Sequence, residues 1–279
     1  MRFVKGHGTE NDFVILPDLD GALDLTAEAV VRLCDRRAGI GADGVLRVVR
    51  TKATDLPEDL VGDAEWFMDY RNADGGIAEM CGNGARVFAR YLVDAGLAPP
   101  GEWNLATRGG LRRVTLGASG DVSVDMGQPR LLGWSEASVE GEVFQGKRVS
   151  VGNPHLVCAV DGPITGLDLS RAPGFDPGAF PEGVNVEFFR RVGERHVEMR
   201  VYERGSGETR SCGTGTVAVA LAAATPPDAA STENFALPQG DWTVDVPGGR
   251  VTVTLGHGTA VLSGPAVIVA EGETRPGWL

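Results

Sequence analysis

Apolar and polar positions alternate in short blocks along most of this chain, and two longer stretches switch to three- and four-residue spacing. The short blocks predict strands at 2–5, 11–16, 45–49 and 65–70. The first two flank a glycine-rich loop, Gly6-His-Gly-Thr-Glu10. Thr26 is the expected N-cap of a helix to about Cys34, with Ala29, Val30 and Leu33 on one face. Loops follow at 36–44 and 71–80, and a polar connection at 51–63. The first long helical pattern runs from about 82 to 94, with Ala85, Phe88, Leu92 and Ala95 in one stripe and Gly96 as its stop. A hairpin is expected from 114–116 and 122–126, then a domain junction at Gly127-Gln-Pro129. Residues 149–160 are strand-like on both sides of Gly152-Asn-Pro-His155, and strands follow at 184–189 and 197–202. The second helical pattern spans about 213–224, carries Val217, Ala220, Leu221 and Ala224 on one face, and ends at Pro226-Pro227. The stretch 242–270 is β-rich, with Gly248-Gly249 as a hairpin turn.

An internal repeat organises these elements. The segment from Asn72 to Gly84 overlies the segment from Glu203 to Gly215 without a gap. Each copy is a strand, a glycine-rich loop, Cys-Gly-x-Gly and a helix. The cysteines are Cys81 and Cys212, and each has a polar residue, Asn72 or Glu203, at the head of its block. Met68 and Met199 match in the preceding strands. Two blocks in register predict two homologous halves.

With 279 residues, the chain has the length of about two ordinary domains. It carries 26 basic and 38 acidic residues, a net charge of −12, which offers no electrostatic footprint for nucleic acid or an anionic membrane. Residues 1–13 lack the apolar core of a signal peptide, and no apolar run is long enough to span a bilayer. A cytoplasmic protein with reduced thiols is expected. The four cysteines, Cys34, Cys81, Cys158 and Cys212, are too few for a disulfide scaffold in a chain of this length.

The chemistry gathers at the repeated cysteines. Each sits at an expected helix start, where backbone N–H groups lack partners and the helix dipole is positive. Such a site favours thiolate and lets a Gly-x-Gly backbone approach a carboxylate closely. Two such halves facing one amino acid would set a thiol on each side of its Cα. Inversion by deprotonation needs a base on one face and an acid on the other, and oriented N–H groups would stabilise the carbanion-like state. Cys34 and Cys158, in plain helix and strand patterns, read as small buried hydrophobes. A Cys81–Cys212 disulfide is a rival reading, expected to inactivate.

Several motifs together carry a family resemblance. They are Lys5-Gly-His-Gly-Thr-Glu-Asn11-Asp-Phe13, Gly39-Ile-Gly-Ala-Asp43, Asn72-Ala-Asp-Gly75, Cys81-Gly-Asn-Gly-Ala-Arg86, Gly152-Asn-Pro-His155, Gly183-Val-Asn185, Glu203-Arg-Gly205 and Glu208-Thr-Arg-Ser-Cys212-Gly-Thr-Gly215. From end to end the chain resembles the diaminopimelate epimerases. The resemblance implies an α/β protein of α+β type: two pseudo-symmetric domains, each a curled, mostly antiparallel sheet around a central helix, with the active site in the cleft between them. The halves would be 1–127, joined by a C-terminal strand at about 262–279, and 128–261. It implies interconversion of LL- and meso-diaminopimelate without pyridoxal phosphate or metal, for lysine and peptidoglycan precursors, in a homodimer. By match, Cys81 and Cys212 are the acid–base pair, and His155 and Glu203 support them. Asn11, Asn72, Asn153, Asn185, Glu203 and Arg204 match substrate contacts, Arg204 gripping the distal carboxylate. Gly82, Asn83, Gly213 and Thr214 match the helix-start groups that hold the substrate.

Gly44 stands where many members of that family have Gln, so a water or backbone group would replace that contact. The first loop reads Gly8-Thr9-Glu10-Asn11 rather than Gly-Leu-Gly-Asn. The run Gly39-Ile-Gly41-Ala-Asp-Gly44 matches a dinucleotide pattern but lies between helix and strand, the wrong order for that use. His7, His155, His196 and His257 show no metal spacing, and His196 and His257 read as surface residues. Asp43, Asp74 and Arg86 read as turn caps and a solvated helix face. A proline racemase or hydroxyproline epimerase is the nearest rival, opposed by Asn72, Glu203 and Arg204, since a cyclic substrate has no distal ammonium and carboxylate. A phenazine-type isomerase should lack the paired thiols, and a redox sensor would use a reversible disulfide.

Overall fold

Two residues close the first hairpin. Strands β1 (Arg2–Gly8) and β2 (Asn11–Pro17) pair antiparallel, with Thr9 and Glu10 between them at φ 49° and 62°. Left-handed residues at both central positions match the twist of the flanking strands. The stretch expected as a loop at 6–10 is therefore strand as far as Gly8. Gly6 is required by crowding, because a Cβ there would lie 2.9 Å from the Val267 carbonyl oxygen and 2.9 Å from Val87 Cγ1.

The protein is described by a computed structural model covering residues 1–117, 120–229, 231, 238–256 and 258–278; His257 lies outside the described residues. After the hairpin come α1 (Ala27–Cys34), β3 (Gly44–Arg50), the single turn α2 (Glu58–Val61), β4 (Trp66–Asn72), α3 (Gly82–Asp94), β5 (Gly101–Ala106), β6 (Arg112–Leu116) and β7 (Val122–Asp125). Then follow β8 (Arg130–Val139), β9 (Glu142–Ser150), β10 (Pro154–Ala159), β11 (Gly174–Phe175), β12 (Asn185–Gly193), β13 (His196–Glu203), β14 (Gly207–Thr209), α4 (Gly213–Ala224), β15 (Gly240–Val246), β16 (Gly249–Gly256), β17 (Thr259–Gly264) and β18 (Val267–Glu273). Thr26 caps α1, its hydroxyl accepting the Ala29 N–H at 3.2 Å.

The chain divides into two compact units, Met1–Val124 with Gly264–Leu279, and Asp125–Ser263. The first has strand order β18-β1-β2-β3-β4-β5-β6-β7. Successive pairs run antiparallel, antiparallel, parallel, antiparallel, parallel, antiparallel, antiparallel. The second, β8-β9-β10-β12-β13-β15-β16-β17, repeats those senses in the same order. The match identifies equivalent positions. In the first unit Phe13 faces Gly44, which faces Asn72. In the second His155 faces Asn185, and Val186 faces Tyr202, which brings Asn185 level with Glu203. Phe13 thus corresponds to His155, Gly44 to Asn185, and Asn72 to Glu203.

Each sheet curls round one helix. Helix α3 packs against β1, β2, β3, β4, β6 and β18, and α4 against β9, β10, β12, β13, β15 and β16. Residues 82–89 of α3 are buried without interruption, as are 215–223 of α4. A helix buried on every side belongs at the centre of its unit. Phe88 and Leu92, fully buried, contribute about 2 kcal/mol each through lost apolar surface. Helix α4 ends before Pro226-Pro227. There buried Lys147 donates to the carbonyls of Ala222, Thr225 and Pro226, and burial and Arg191 hold its pKa down to about 8.

Strands β5, β8, β11, β14 and most of β9 went unread in the pattern. In β8 only Leu131, Ala137 and Val139 are buried, while Leu132 and Trp134 are largely exposed. With apolar residues on both faces there is no clean alternation. Strands β5 and β9 mix polar with apolar residues and are partly solvent-facing, so they too lack a clean alternation. No helix among the described residues is long and apolar enough to cross a membrane.

Candidate active site

Cys81 is the N-cap of α3 and Cys212 the N-cap of α4. Both have extended backbones, φ −138° and −121°, and each sulfur accepts the N–H of the residue three positions on, Gly84 or Gly215, at 3.4 Å. The strand–loop–Cys-Gly-x-Gly pattern places both thiols as expected. All four cysteines are free. Cys81 is half-buried, whereas Cys212 is only 6% exposed.

Around Cys81 the structure brings Asn11 and Asn83 together. The thiol lies 3.8 Å from Asn11 Oδ1, which also accepts from Asn83 Nδ2 at 3.2 Å. Asn11 Nδ2 donates to Asp43 Oδ2 at 2.8 Å, and Arg86 donates to Asn83 Oδ1 at 2.5 Å. Gly82 opens the helix, while Asn72 ends β4 with its backbone closing the turn to Gly76.

Arg86 is a correction to the reading of a solvated helix face. It is fully buried, donating also to Thr9 Oγ1 at 3.1 Å and to the Pro265 carbonyl at 2.8 Å. Burial pushes its guanidinium down to about 10. Asp74 does cap a turn, accepting the Gly76 N–H. Asp43 does more than that, since it takes the Asn11 amide, the Asp12 N–H and Arg36. At position 44 a Cβ would fall 2.6 Å from the Arg71 carbonyl oxygen and 2.7 Å from the Tyr70 ring, so glycine is required there.

Beside this network Asp12 is gripped by Lys5 at 2.5 Å and Arg36 at 2.7 Å. Burial works to raise its pKa, but the hydrogen bonds and charges of Arg36 and Lys5 prevail and hold it at about 2. A carboxylate depressed on folding stabilises above its unfolded pKa and loses that contribution as pH falls through the folded value. Between pH 5 and pH 2 the wild type is therefore expected to lose about 2 kcal/mol more stability than Asp12→Asn. Urea titrations at those two pH values check this, and parallel curves would remove Asp12 from the account.

Around Cys212 the structure gathers Thr214, Asn153, His155 and a residue the sequence reading missed, Glu187. Thr214 Oγ1 lies 3.5 Å from the sulfur and accepts from Asn153 Nδ2 at 3.3 Å. His155 Nε2 meets Asn153 Oδ1 at 2.9 Å, and its Nδ1 meets Glu187 Oε1 at 2.6 Å. His155 and Glu187 are both fully buried. The available signal for Glu187 was a lone carboxylate inside the apolar strand run 184–189.

Asn185, also buried, donates to the Pro154 carbonyl at 3.3 Å and accepts the Arg204 backbone N–H at 2.9 Å. The Arg204 guanidinium donates to the Glu182 carbonyl, and Glu203 accepts from the Thr209 hydroxyl. Gly213 opens α4. His196 is half-buried against Asp245 at 2.7 Å, rather than a free surface residue.

The expectation that the helix start favours thiolate at Cys212 is overturned. Burial raises its pKa well above the ordinary thiol value, and Glu203 and Glu187 raise it further; the hydrogen bonds from Thr214 and Gly215 oppose them and lose. Desolvating a thiolate beside two carboxylates costs more than one helix terminus returns. Cys34 and Cys158 are pushed by burial to about 12. Iodoacetamide at pH 8 is therefore expected to mark Cys81 first, and Cys34 and Cys158 only after denaturation. Peptide mapping reads this out, and early label on Cys34 would contradict it.

The family model described as diaminopimelate epimerase matches residues 3–132 and 148–269. A protein named diaminopimelate epimerase from Thermobifida fusca is 59% identical over 281 residues, covering 99% of this chain and 98% of its own. One of the same name from Streptomyces coelicolor is 53% identical over 284 residues, covering 100% and 97%. This chain belongs to the diaminopimelate epimerase family. Among solved structures, a phenazine biosynthesis protein of the PhzF family from Bacillus anthracis aligns with TM-score 0.69 at 17% identity, over 99% of both chains. A hydroxyproline epimerase from Agrobacterium vitis aligns with TM-score 0.63 at 15% identity, over 98% of this chain and 91% of its own. At those identities the likeness is one of fold. The chain shares its mixed α/β fold with these structural neighbours.

Proposed function

We propose that this chain interconverts LL- and meso-diaminopimelate by a two-cysteine acid–base mechanism, without cofactor, in the supply of lysine and peptidoglycan precursors. The observation that carries the reading is the pair of Cys-Gly-x-Gly helix starts, each thiol capping a buried central helix, in a chain with close relatives bearing that enzyme's name. In the reading, one cysteine takes the α-proton as thiolate and the other, as thiol, returns a proton to the opposite face. Burial and the neighbouring carboxylates oppose ionisation of Cys212 in the resting protein. Asn11, Asn83 and Asn72 serve the substrate from the first unit. Asn153, Asn185, Glu203, Arg204 and Thr214 serve it from the second. The N–H groups from Gly82 and Gly213 onward take its α-carboxylate. Arg204 takes the distal carboxylate and Glu203 the distal ammonium. The two compact units are the two catalytic domains of a cytoplasmic homodimer.

The test is incubation of the reduced, metal-free protein with LL-diaminopimelate in deuterated water, followed by proton NMR. Loss of the α-proton signal with appearance of the meso isomer is expected. A retained signal with all thiols reduced would refute the reading, and turnover of proline or hydroxyproline instead would move the chain to that activity.

A further inference from the structure

The two cysteine stations share a backbone plan but not the layer beneath it. Under Cys81, positions 13 and 46 hold Phe13 and Leu46, both fully buried. A Cβ on Gly84 would meet Leu46 Cδ2 at 3.1 Å. Under Cys212 the equivalent positions hold His155 and Glu187, and a Cβ on Gly215 would lie 2.8 Å from Glu187 Oε1 and 3.4 Å from the Cys212 sulfur. The second unit therefore buries an ionisable pair where the first buries hydrocarbon. Burying such a pair costs free energy that Phe and Leu do not, and Glu187 Oε2 has no hydrogen-bond partner in its buried site.

The geometry points to Glu187 as a positioning residue for Cys212, acting through His155, Asn153 and Thr214. This inference rests on the epimerase reading above. The logic is one of donors and acceptors. Asn153 Nδ2 donates to Thr214, so Asn153 Oδ1 faces the imidazole and His155 Nε2 carries a proton. On the other side of the ring a single proton lies between Nδ1 and Glu187 Oε1. Glu187 thus sets the tilt of the ring, the ring sets the Asn153 amide, and Asn153 sets the Thr214 hydroxyl beside the sulfur. Asn153 and Thr214 are also proposed substrate contacts, so the same chain holds the carboxylate cradle of the second unit. The other carboxylate acting on Cys212 is Glu203, from β13.

The experiment compares Glu187→Gln, Glu187→Leu, His155→Phe and the double variant His155→Phe/Glu187→Leu, which copies the Phe13–Leu46 layer of the first unit. Each is assayed for kcat, KM and thermal midpoint on diaminopimelate. Glu187→Gln keeps a hydrogen-bond partner for Nδ1, its amide N–H or its carbonyl oxygen, and is expected to retain part of the activity. Glu187→Leu is expected to lower kcat by at least 10-fold with KM within about 3-fold. Because Glu187 acts through His155, the double variant should match His155→Phe within about 3-fold rather than show the product of the two losses. If Glu187→Leu fails to fold, the double variant, whose buried layer is already packed by the first unit, decides by comparison with His155→Phe. Wild-type kcat in both Glu187 variants, or multiplicative losses in the double, would overturn the inference while leaving the epimerase reading intact. A wild type that exchanges no α-proton would overturn both.

Discussion

Serine at position 81 or 212 is expected to lower kcat for epimerisation by about 10³-fold or more and leave the fold intact, in keeping with the loss of a positioned general acid or base. Serine isolates the chemistry from the architecture. Both cysteines are helix N-caps whose sulfurs accept an N–H at 3.4 Å, and serine is a preferred residue at that position. Alanine would confound the result, because losing a cap costs about 1 kcal/mol by itself. A hydroxyl of far higher pKa than a thiol can neither rest as the base at neutral pH nor donate as readily. Thermal midpoints within a few degrees of wild type, with turnover at the detection limit, are the expected pair of measurements. Turnover within 10-fold of wild type in either variant would end the two-cysteine mechanism.

Arg86→Leu is expected to cost about 3 kcal/mol of stability and to weaken substrate binding as well. The guanidinium is buried with three uncharged acceptors: Asn83 Oδ1, Thr9 Oγ1 and the Pro265 carbonyl. These belong to α3, to the left-handed β1–β2 turn and to the entry of β18, so one side chain ties together three segments far apart in sequence. Leucine removes the donors and leaves the acceptors in a dry interior, where each unsatisfied group is costly. The effect on binding follows from orientation. Arg86 can only donate, so Asn83 must present Oδ1 to it and Nδ2 to Asn11, which in turn presents Nδ2 to Asp43. Urea unfolding and KM for diaminopimelate measure the two effects. A leucine variant as stable as wild type would mean that the guanidinium holds nothing in place.

Both predictions start from residues that sequence reading treats unequally. Cys81 and Cys212 were legible because the evidence for them is local: a repeat in register, a glycine pair and a helical period together mark a cap. Arg86 sits in the same motif and was read as solvent-facing, since a charged residue on a helix is ordinarily exposed. Only a sheet wrapped right round α3 leaves residues 82–89 of that helix without a solvent face. Glu187 is a similar case, a carboxylate in an apolar strand whose use appears once the parallel pairing of β10 with β12 puts His155 level with Asn185.

The sequence by itself determined the duplication, both central helices, their capping cysteines and most of the strands around them. Caps, turns and periodicities act over a few residues, and the order of residues along the chain records them directly. The tertiary structure alone decided which polar groups are dry. Burial and the partners that compensate it come from segments far apart in the chain: Arg86 with Pro265, Cys212 with Glu187, and Lys147 with the end of α4. The same long-range burial reversed the expected effect of the helix start at Cys212, because desolvation depends on everything packed around the sulfur, whereas a helix dipole depends only on the backbone that follows it.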